Sequence, residues 1–130
     1  MGTPDIAVKS LQELHNNSEI EVLAVVTQID RPKGRGNKLT PPPVKVCALE
    51  NNIPCFQTER ISRDEELKAT LKEMQPDFFV TFAFGQILSQ EVLDIPKFAT
   101  VNLHASLLPK YRGANPIQRC IINGDKETGI

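Results

Sequence analysis

The chain of 130 residues lacks tryptophan and has only three cysteines, Cys47, Cys55 and Cys120. This odd number, without a Cys-x-x-Cys pair, argues against a disulfide framework and against a zinc site. We therefore expect free thiols in a reducing compartment and no bound metal. No apolar run approaches the roughly 18 residues of a membrane-spanning helix, and no signal-peptide pattern is present. Together with the free thiols, these absences predict a protein without membrane contacts, located in the cytoplasm.

The chain also lacks an excess of charge of either sign, since its formal net charge is −1. Such a balance gives no overall signal for nucleic-acid binding. Apolar residues make up 40% and charged residues 24%, which is ordinary for a globular domain, and the length predicts one domain over residues 1–130. Any site for a polyanion must therefore come from local clustering of cations.

Hydrophobic periodicity and capping signals predict helices that alternate with strands. We expect helices over residues 5–16 with Asp5 as cap, 43–51, from a Ser62–Glu65 capping box through Met74, 89–93, and 114–122. Strands are expected over residues 19–28, 53–56, 77–84 and 100–104. This alternation predicts an α/β fold of the Rossmann-like type, with a mostly parallel sheet and helices on both of its faces.

The most informative residues are Asn102 and His104, at the end of the last predicted strand. Alternate side chains of a strand point to the same face, and ligands of parallel sheets collect beyond the carboxyl ends of the strands. A carboxamide donor beside an imidazole suits a reaction that builds negative charge on a carbonyl oxygen while a proton moves. The alternative is a structural histidine beside a turn-forming asparagine. We favour the first interpretation because the pair leads directly into a loop without periodicity.

The pattern from Asn102 through His104 and Ser106-Leu107-Leu108-Pro109 to Arg112-Gly113 resembles formyltransferases that use 10-formyltetrahydrofolate. Within them the chain is most similar to the methionyl-tRNA formyltransferases. The blocks that carry this similarity are 2–5, 27–39, 43–45, 114–119 and 123–129. Together they cover essentially the whole chain.

The resemblance implies transfer of a formyl group from 10-formyltetrahydrofolate to the amino group of methionyl initiator tRNA. Asn102 would donate a hydrogen bond to the oxygen of the tetrahedral intermediate, and His104 would stabilise that intermediate and pass a proton to the leaving nitrogen. Residues of two loops would form the folate pocket: Phe84, Gly85, Ile87, Ser106, Leu107, Leu108 and Pro109. We expect a monomer.

The segment from Arg31 to Lys45 is cationic, contains no acidic residue, and is rich in proline and glycine. Its composition predicts a mobile loop that is neither helix nor strand. A solvated loop is the general interpretation of such a segment. The resemblance instead implies a clamp on the tRNA acceptor end by Arg31, Lys33, Arg35 and Lys38, with Lys45 as a fifth cation.

The resemblance also predicts that the chain is part of a longer protein. Relatives of this type would have a strand before residue 1, leaving two neighbouring strands here without their partner. They would also have a catalytic aspartate on a later strand and a smaller C-terminal domain. We therefore expect little or no activity from these 130 residues alone. Single-turnover formylation by the isolated chain, at a rate near that of an extended protein, would contradict this expectation.

Three alternatives remain at this stage. One is a formyltransferase acting on a small substrate, either glycinamide ribonucleotide or a sugar nucleotide, for which a long cationic segment has no evident use. Another is a tRNA-binding remnant without catalytic activity, which would bind tRNA in a salt-dependent way but no folate. The last is a chain that does not fold alone, and a melting transition would exclude it.

Overall fold

The structure is a computed structural model and describes residues 1–34 and 36–130. Within these residues, short strands and helices follow one another along the chain. They are α1 (Val8–Asn16), β1 (Val25–Thr27), β2 (Arg31–Lys33), β3 (Lys38–Thr40), α2 (Pro43–Glu50), β4 (Cys55–Gln57), α3 (Glu65–Glu73), β5 (Phe78–Phe82), α4 (Gln90–Leu93), β6 (Ala99–Leu103) and α5 (Pro116–Ile122). None of the helices described is long and apolar enough to cross a membrane.

The strands of the main sheet are parallel. β1 pairs with β4, and β5 pairs with β6. The backbone of Met1 and Gly2 lies between the two pairs, because Gly2 N donates to Val26 O at 3.1 Å and Phe82 N donates to Met1 O at 3.0 Å. The spatial order is therefore β4, β1, Met1–Gly2, β5, β6. The predicted parallel α/β fold is confirmed.

Helices cover both faces of this sheet, as predicted. Val25 and Val26 are neighbours on β1, and their side chains point to opposite faces. Val25 packs with α1 and α2 in a cluster of Ala7, Leu11, Val44, Cys47, Ala48, Ile53 and Phe82. Val26 packs with α3 and α4 in a cluster of Ile61, Leu67, Leu71, Phe79, Phe84 and Val92. The core thus consists of two layers, one on each side of the sheet.

The strand predicted over residues 19–28 is much shorter in the structure, where β1 spans Val25–Thr27. Its ladder to β4 begins only at Val25, opposite Cys55. Residues 19–24 instead line a cavity of about 600 Å³ between the amino ends of β1 and β5. An apolar, β-branched sequence becomes a strand only where a neighbouring strand pairs with its backbone, and this segment has no ladder partner among the described residues.

The prediction of an irregular loop from Arg31 to Lys45 is wrong. β2 and β3 form an antiparallel hairpin with Arg31 opposite Thr40, and α2 begins at Pro43. Gly34, Gly36 and Asn37 have φ of 76°, 92° and 49°, values that suit a tight turn. The hairpin escaped prediction because a proline within a run argues against a strand. Here the strands are exposed, and Pro32 does not interrupt a central ladder.

Two predicted helix caps are also wrong. Asp64, rather than Ser62, caps α3, since its Oδ1 accepts a hydrogen bond from Leu67 N at 3.0 Å. Ser62 donates instead to Ile87 O at 2.9 Å. Asp5 makes no side-chain cap and lies in the 3-10 turn that precedes α1. The helix beginning at Pro43 is confirmed, and the other predicted elements are confirmed with ends that differ by a few residues.

Ile61 offers a test of the layer formed with α3 and α4. Its side chain is fully buried, whereas that of Ile87 is 91% exposed. We expect Ile61→Val to lower the free energy of unfolding by about 1 kcal/mol, because one buried methylene is lost. The matched variant Ile87→Val is expected to change it by less than about 0.5 kcal/mol. Urea unfolding followed by circular dichroism measures both, and equal effects would contradict the described packing.

Candidate active site

The carboxyl ends of the strands meet at one edge of the sheet. Gln28 follows β1 and its Nε2 donates to Phe84 O, beyond β5, at 3.0 Å. Thr3 Oγ1 donates to the same carbonyl oxygen at 3.0 Å. Gly85 has φ of 78°, and a Cβ atom there would collide with the Gln28 carboxamide. The positive φ favours glycine where the two chain segments approach each other.

Asn102 lies on β6 directly opposite Thr81 of β5. The buried Thr81 hydroxyl donates to Asn102 Oδ1 at 2.8 Å and lies 3.2 Å from Val101 O. Because the carboxamide oxygen is held in this way, the Nδ2 group is the part of Asn102 left to donate. Asn102 itself is exposed, so this donor faces accessible space. Thr81 was not predicted as a site residue, since its contact with Asn102 depends on the strand register.

His104 follows β6 directly and is half-buried. Its Nε2 atom lies 2.9 Å from Tyr111 O, and a carbonyl oxygen only accepts, so Nε2–H donates. Of the two neutral tautomers, this bond selects the one in which Nδ1 carries the lone pair. His104 is thus arranged to take up a proton at Nδ1. Its catalytic role, like that of Asn102, stays a prediction.

The loop between His104 and Tyr111 is held by its own hydrogen bonds. Ser106 N donates to His104 O at 2.9 Å, and the buried Ser106 hydroxyl donates to Lys110 O at 2.7 Å. The side chains of Leu107 and Leu108 are exposed by 52% and 61%. Ser106 therefore shapes the loop, while the two leucines present apolar surface to solvent.

A cavity of about 340 Å³ lies beside this loop. Its lining consists of Leu107, Pro109, Lys110, Tyr111, Asp125, Glu127 and Thr128. On one wall the Tyr111 hydroxyl donates to Asp125 Oδ2 at 2.6 Å, which holds the pKa of that carboxyl below its ordinary value. Two of the predicted folate residues, Leu107 and Pro109, thus border a cavity near His104. No pattern in the sequence indicates the Tyr111–Asp125 pair.

The other predicted folate residues follow β5. Phe84 is 4% exposed and its side chain belongs to the core layer around Ile61, so its backbone is the part near the edge of the sheet. Ile87 projects into solvent. The structure therefore presents apolar side chains at Ile87, Leu107 and Leu108, whereas Phe84 supports the fold.

The predicted tRNA-binding cations divide into two groups. Arg31 and Lys33 on β2 and Lys38 on β3 are exposed, and Arg35 lies outside the described residues. Lys45 is not a free cation of this segment, because its Nζ lies 2.9 Å from Asp30 Oδ1. The hydrogen bond from Lys45 lowers the pKa of the Asp30 carboxyl, and a second one from Gln57 adds to this effect.

Groups that could hold a metal ion were sought among His, Cys, Asp and Glu side chains. Across residues 1–34 and 36–130, no three of them lie close enough together to do so. The described residues at the edge of the sheet offer an amide donor, an imidazole and apolar surface. These groups suit stabilisation of an oxyanion and transfer of a proton.

Comparisons with known proteins agree with this chemistry. The formyl transferase family model matches residues 1–130. The chain is 58% identical over 129 residues to a methionyl-tRNA formyltransferase of Clostridium perfringens, covering 99% of this chain and 41% of that protein. Enzymes with the same name from Geobacter metallireducens and Trichormus variabilis are each 56% identical, over 130 and 129 residues. These cover 100% and 99% of this chain, and it spans 41% and 39% of their lengths.

Proposed function

The chain belongs to the formyl transferase family, and from this we propose that it carries the formyl-transferring site of a methionyl-tRNA formyltransferase. The proposed reaction moves the formyl group of 10-formyltetrahydrofolate to the amino group of methionyl initiator tRNA. The observation that carries the proposal is the orientation of Asn102. Its oxygen is held by Thr81, which leaves Nδ2 as the donor of an exposed side chain near the carboxyl end of β6.

In the proposed mechanism, Asn102 Nδ2 donates a hydrogen bond to the formyl oxygen as negative charge develops there. His104 takes the proton of the attacking amine at Nδ1, since Nε2–H is engaged with Tyr111 O. The imidazolium then gives this proton to the leaving nitrogen. The fixed donor stabilises charge that arises only during the reaction, which is why it accelerates the chemical step.

The residues near this pair suit a folate donor. The flat ring system of a pterin is stabilised by apolar contacts, which Ile87, Leu107 and Leu108 can provide with their exposed side chains. The cavity beside Leu107 and Pro109 is also lined by Tyr111, whose carbonyl oxygen contacts His104. We propose that these residues, with the backbone of Phe84 and Gly85 and with Ser106 as support, bind 10-formyltetrahydrofolate.

We further propose that the β2–β3 hairpin contacts the tRNA backbone through Arg31, Lys33, Arg35 and Lys38. The described members of this set project from an exposed hairpin rather than packing on the body of the domain. Such a protruding cationic surface fits an extended polyanion better than a small substrate. It therefore favours a tRNA substrate over glycinamide ribonucleotide or a sugar nucleotide.

The reaction is tested most directly in a chimera. Residues 1–130 replace the matched segment of the Clostridium perfringens enzyme, which supplies the remaining part of the polypeptide. We expect formylation of methionyl initiator tRNA with a kcat within about tenfold of the parent enzyme, because 58% of the exchanged residues are identical. A folded chimera that formylates only a small amine substrate would contradict the proposal.

The hairpin's role is tested by the salt dependence of tRNA binding. We expect Lys38→Ala to reduce the slope of log K against log salt by about one, since one phosphate contact is lost. Lys97→Ala is the matched control, because Lys97 is exposed and precedes β6 at the opposite end of the sheet. Fluorescence anisotropy of labelled tRNA at several salt concentrations measures both slopes. Equal slopes for the two variants would show that Lys38 and its hairpin do not contact the tRNA backbone.

The proposal includes a monomer that acts in the cytoplasm, or in an organelle of a eukaryote. Sedimentation equilibrium of the chain with and without tRNA tests the first part. Fluorescence microscopy of a tagged protein tests the second.

A further inference from the structure

Three side chains form a closed group where the hairpin joins the domain. Lys45 Nζ donates to Asp30 Oδ1 and Oδ2 at 2.9 and 3.0 Å, and to Gln57 Oε1 at 2.6 Å. Gln57 Nε2 donates in turn to Asp30 Oδ1 at 2.7 Å. Each of the three therefore contacts the other two. We call Asp30, Lys45 and Gln57 the hairpin base.

The positions of these residues in the chain show what the hairpin base connects. Asp30 immediately precedes β2, and Lys45 lies in the first turn of α2, soon after β3 ends. Their ion pair thus joins the two ends of the segment that contains the hairpin. Gln57 is the last residue of β4 and also donates to Gln28 O at 2.9 Å. The hairpin base consequently ties both ends of the segment to the carboxyl edge of the main sheet.

The hairpin itself has little else to orient it. All six residues of β2 and β3 are exposed, and the two strands pair with each other rather than with the main sheet. A two-stranded hairpin without an apolar face packed on the domain is only marginally stable. Its direction must therefore be determined where it joins the domain.

We propose that Asp30, Lys45 and Gln57 are positioning residues that hold the hairpin in the direction from which its cations reach an RNA backbone. This inference rests on the proposed function, and it assigns Lys45 a role different from that of Arg31, Lys33 and Lys38. Lys45 has its charge satisfied by Asp30 and acts through the hairpin. The three exposed cations contact phosphate.

The effect of Asp30→Asn on tRNA affinity distinguishes a positioning role from a purely electrostatic one. Asp30→Asn removes a negative charge beside a cationic surface, so electrostatics alone predicts equal or tighter tRNA binding. Positioning predicts the reverse, because Lys45 loses its charged partner and the hairpin is released. We expect about five- to tenfold weaker binding of labelled initiator tRNA. Glu73→Gln is the matched control, since it makes the same charge change at the exposed end of α3, and we expect no weakening.

Hydrogen exchange of the full chain measures the positioning itself, without RNA. In Asp30→Asn we expect faster exchange of the amides between residues 31 and 40, with unchanged protection of β5 and β6. The unchanged strands show that the variant is folded. The double variant Asp30→Lys with Lys45→Asp restores opposite charges at the same places, and we expect it to recover part of both the protection and the binding.

These measurements keep the two proposals distinct. Faster exchange in the hairpin, with no tRNA binding by either wild type or variant, would support the positioning role and contradict the proposed substrate. Salt-dependent tRNA binding that Asp30→Asn leaves as tight as Glu73→Gln, with hairpin protection intact, would overturn the positioning role and leave the substrate proposal standing.

Discussion

Replacing Asn102 by alanine in the chimera is expected to lower kcat by about 100- to 1000-fold and to leave KM within about threefold. The carboxamide donates to an oxygen whose negative charge develops during the reaction, so its loss affects the transition state more than substrate binding. Stability should change by less than about 0.5 kcal/mol, because Asn102 is exposed and the Thr81 hydroxyl can still donate to Val101 O. Single-turnover formylation and urea unfolding measure these quantities.

Asn51→Ala is the reciprocal control for this variant. Asn51 Nδ2 donates to Cys47 O at 2.8 Å at the end of α2, away from the proposed site. Its loss should cost about 1 kcal/mol of stability and leave kcat unchanged. An Asn102→Ala chimera that retains more than a tenth of the parent kcat would show that another group stabilises the oxyanion.

Replacing His104 by glutamine should lower kcat by about 100- to 10,000-fold, the range for loss of a general acid or base. Glutamine can keep a donor near Tyr111 O but cannot take up a proton at the catalytic position. The variant therefore removes proton transfer while retaining the hydrogen bond that holds the loop. Stopped-flow formylation measures this rate.

The chain offers an internal control, since His15 is its other histidine and lies exposed on α1. His15→Gln should leave the rate unchanged. Should His104→Gln retain nearly full activity while His104→Ala does not, the imidazole would serve as a hydrogen-bond donor. The assigned proton transfer would then be wrong.

The sequence predicted those features of the fold that depend on local patterns. The proline at the start of α2 and the apolar stripe of α3 are such patterns, and both helices formed where expected. The prediction of a strand over residues 19–24 was wrong because a strand depends on a neighbour that its own sequence does not specify. The hairpin over residues 31–40 was not predicted because an exposed hairpin with proline lacks the alternating apolar pattern of a half-buried strand.

In the candidate site, as in the fold, the features that depend on local sequence were predicted and those that depend on distant residues were not. Asn102 and His104 were identified from their spacing and from the family pattern, both of which are local in sequence. Their partners were not, since Thr81 comes from another strand and Tyr111 from the far end of a loop. Lys45 was counted as a free cation because sequence alone gives its charge but not the position of Asp30. Tertiary contacts, rather than residue types, separate the supporting residues from the proposed catalytic ones.

The hydrogen bonds at the carboxyl edge of the sheet make the link between the two strand pairs redundant. Thr3 Oγ1 and Gln28 Nε2 both donate to Phe84 O, so one carbonyl oxygen beyond β5 accepts two hydrogen bonds. A carbonyl oxygen has two lone pairs, and here each has a donor. Loss of either donor would therefore leave the other bond to join the segments that follow β1 and β5.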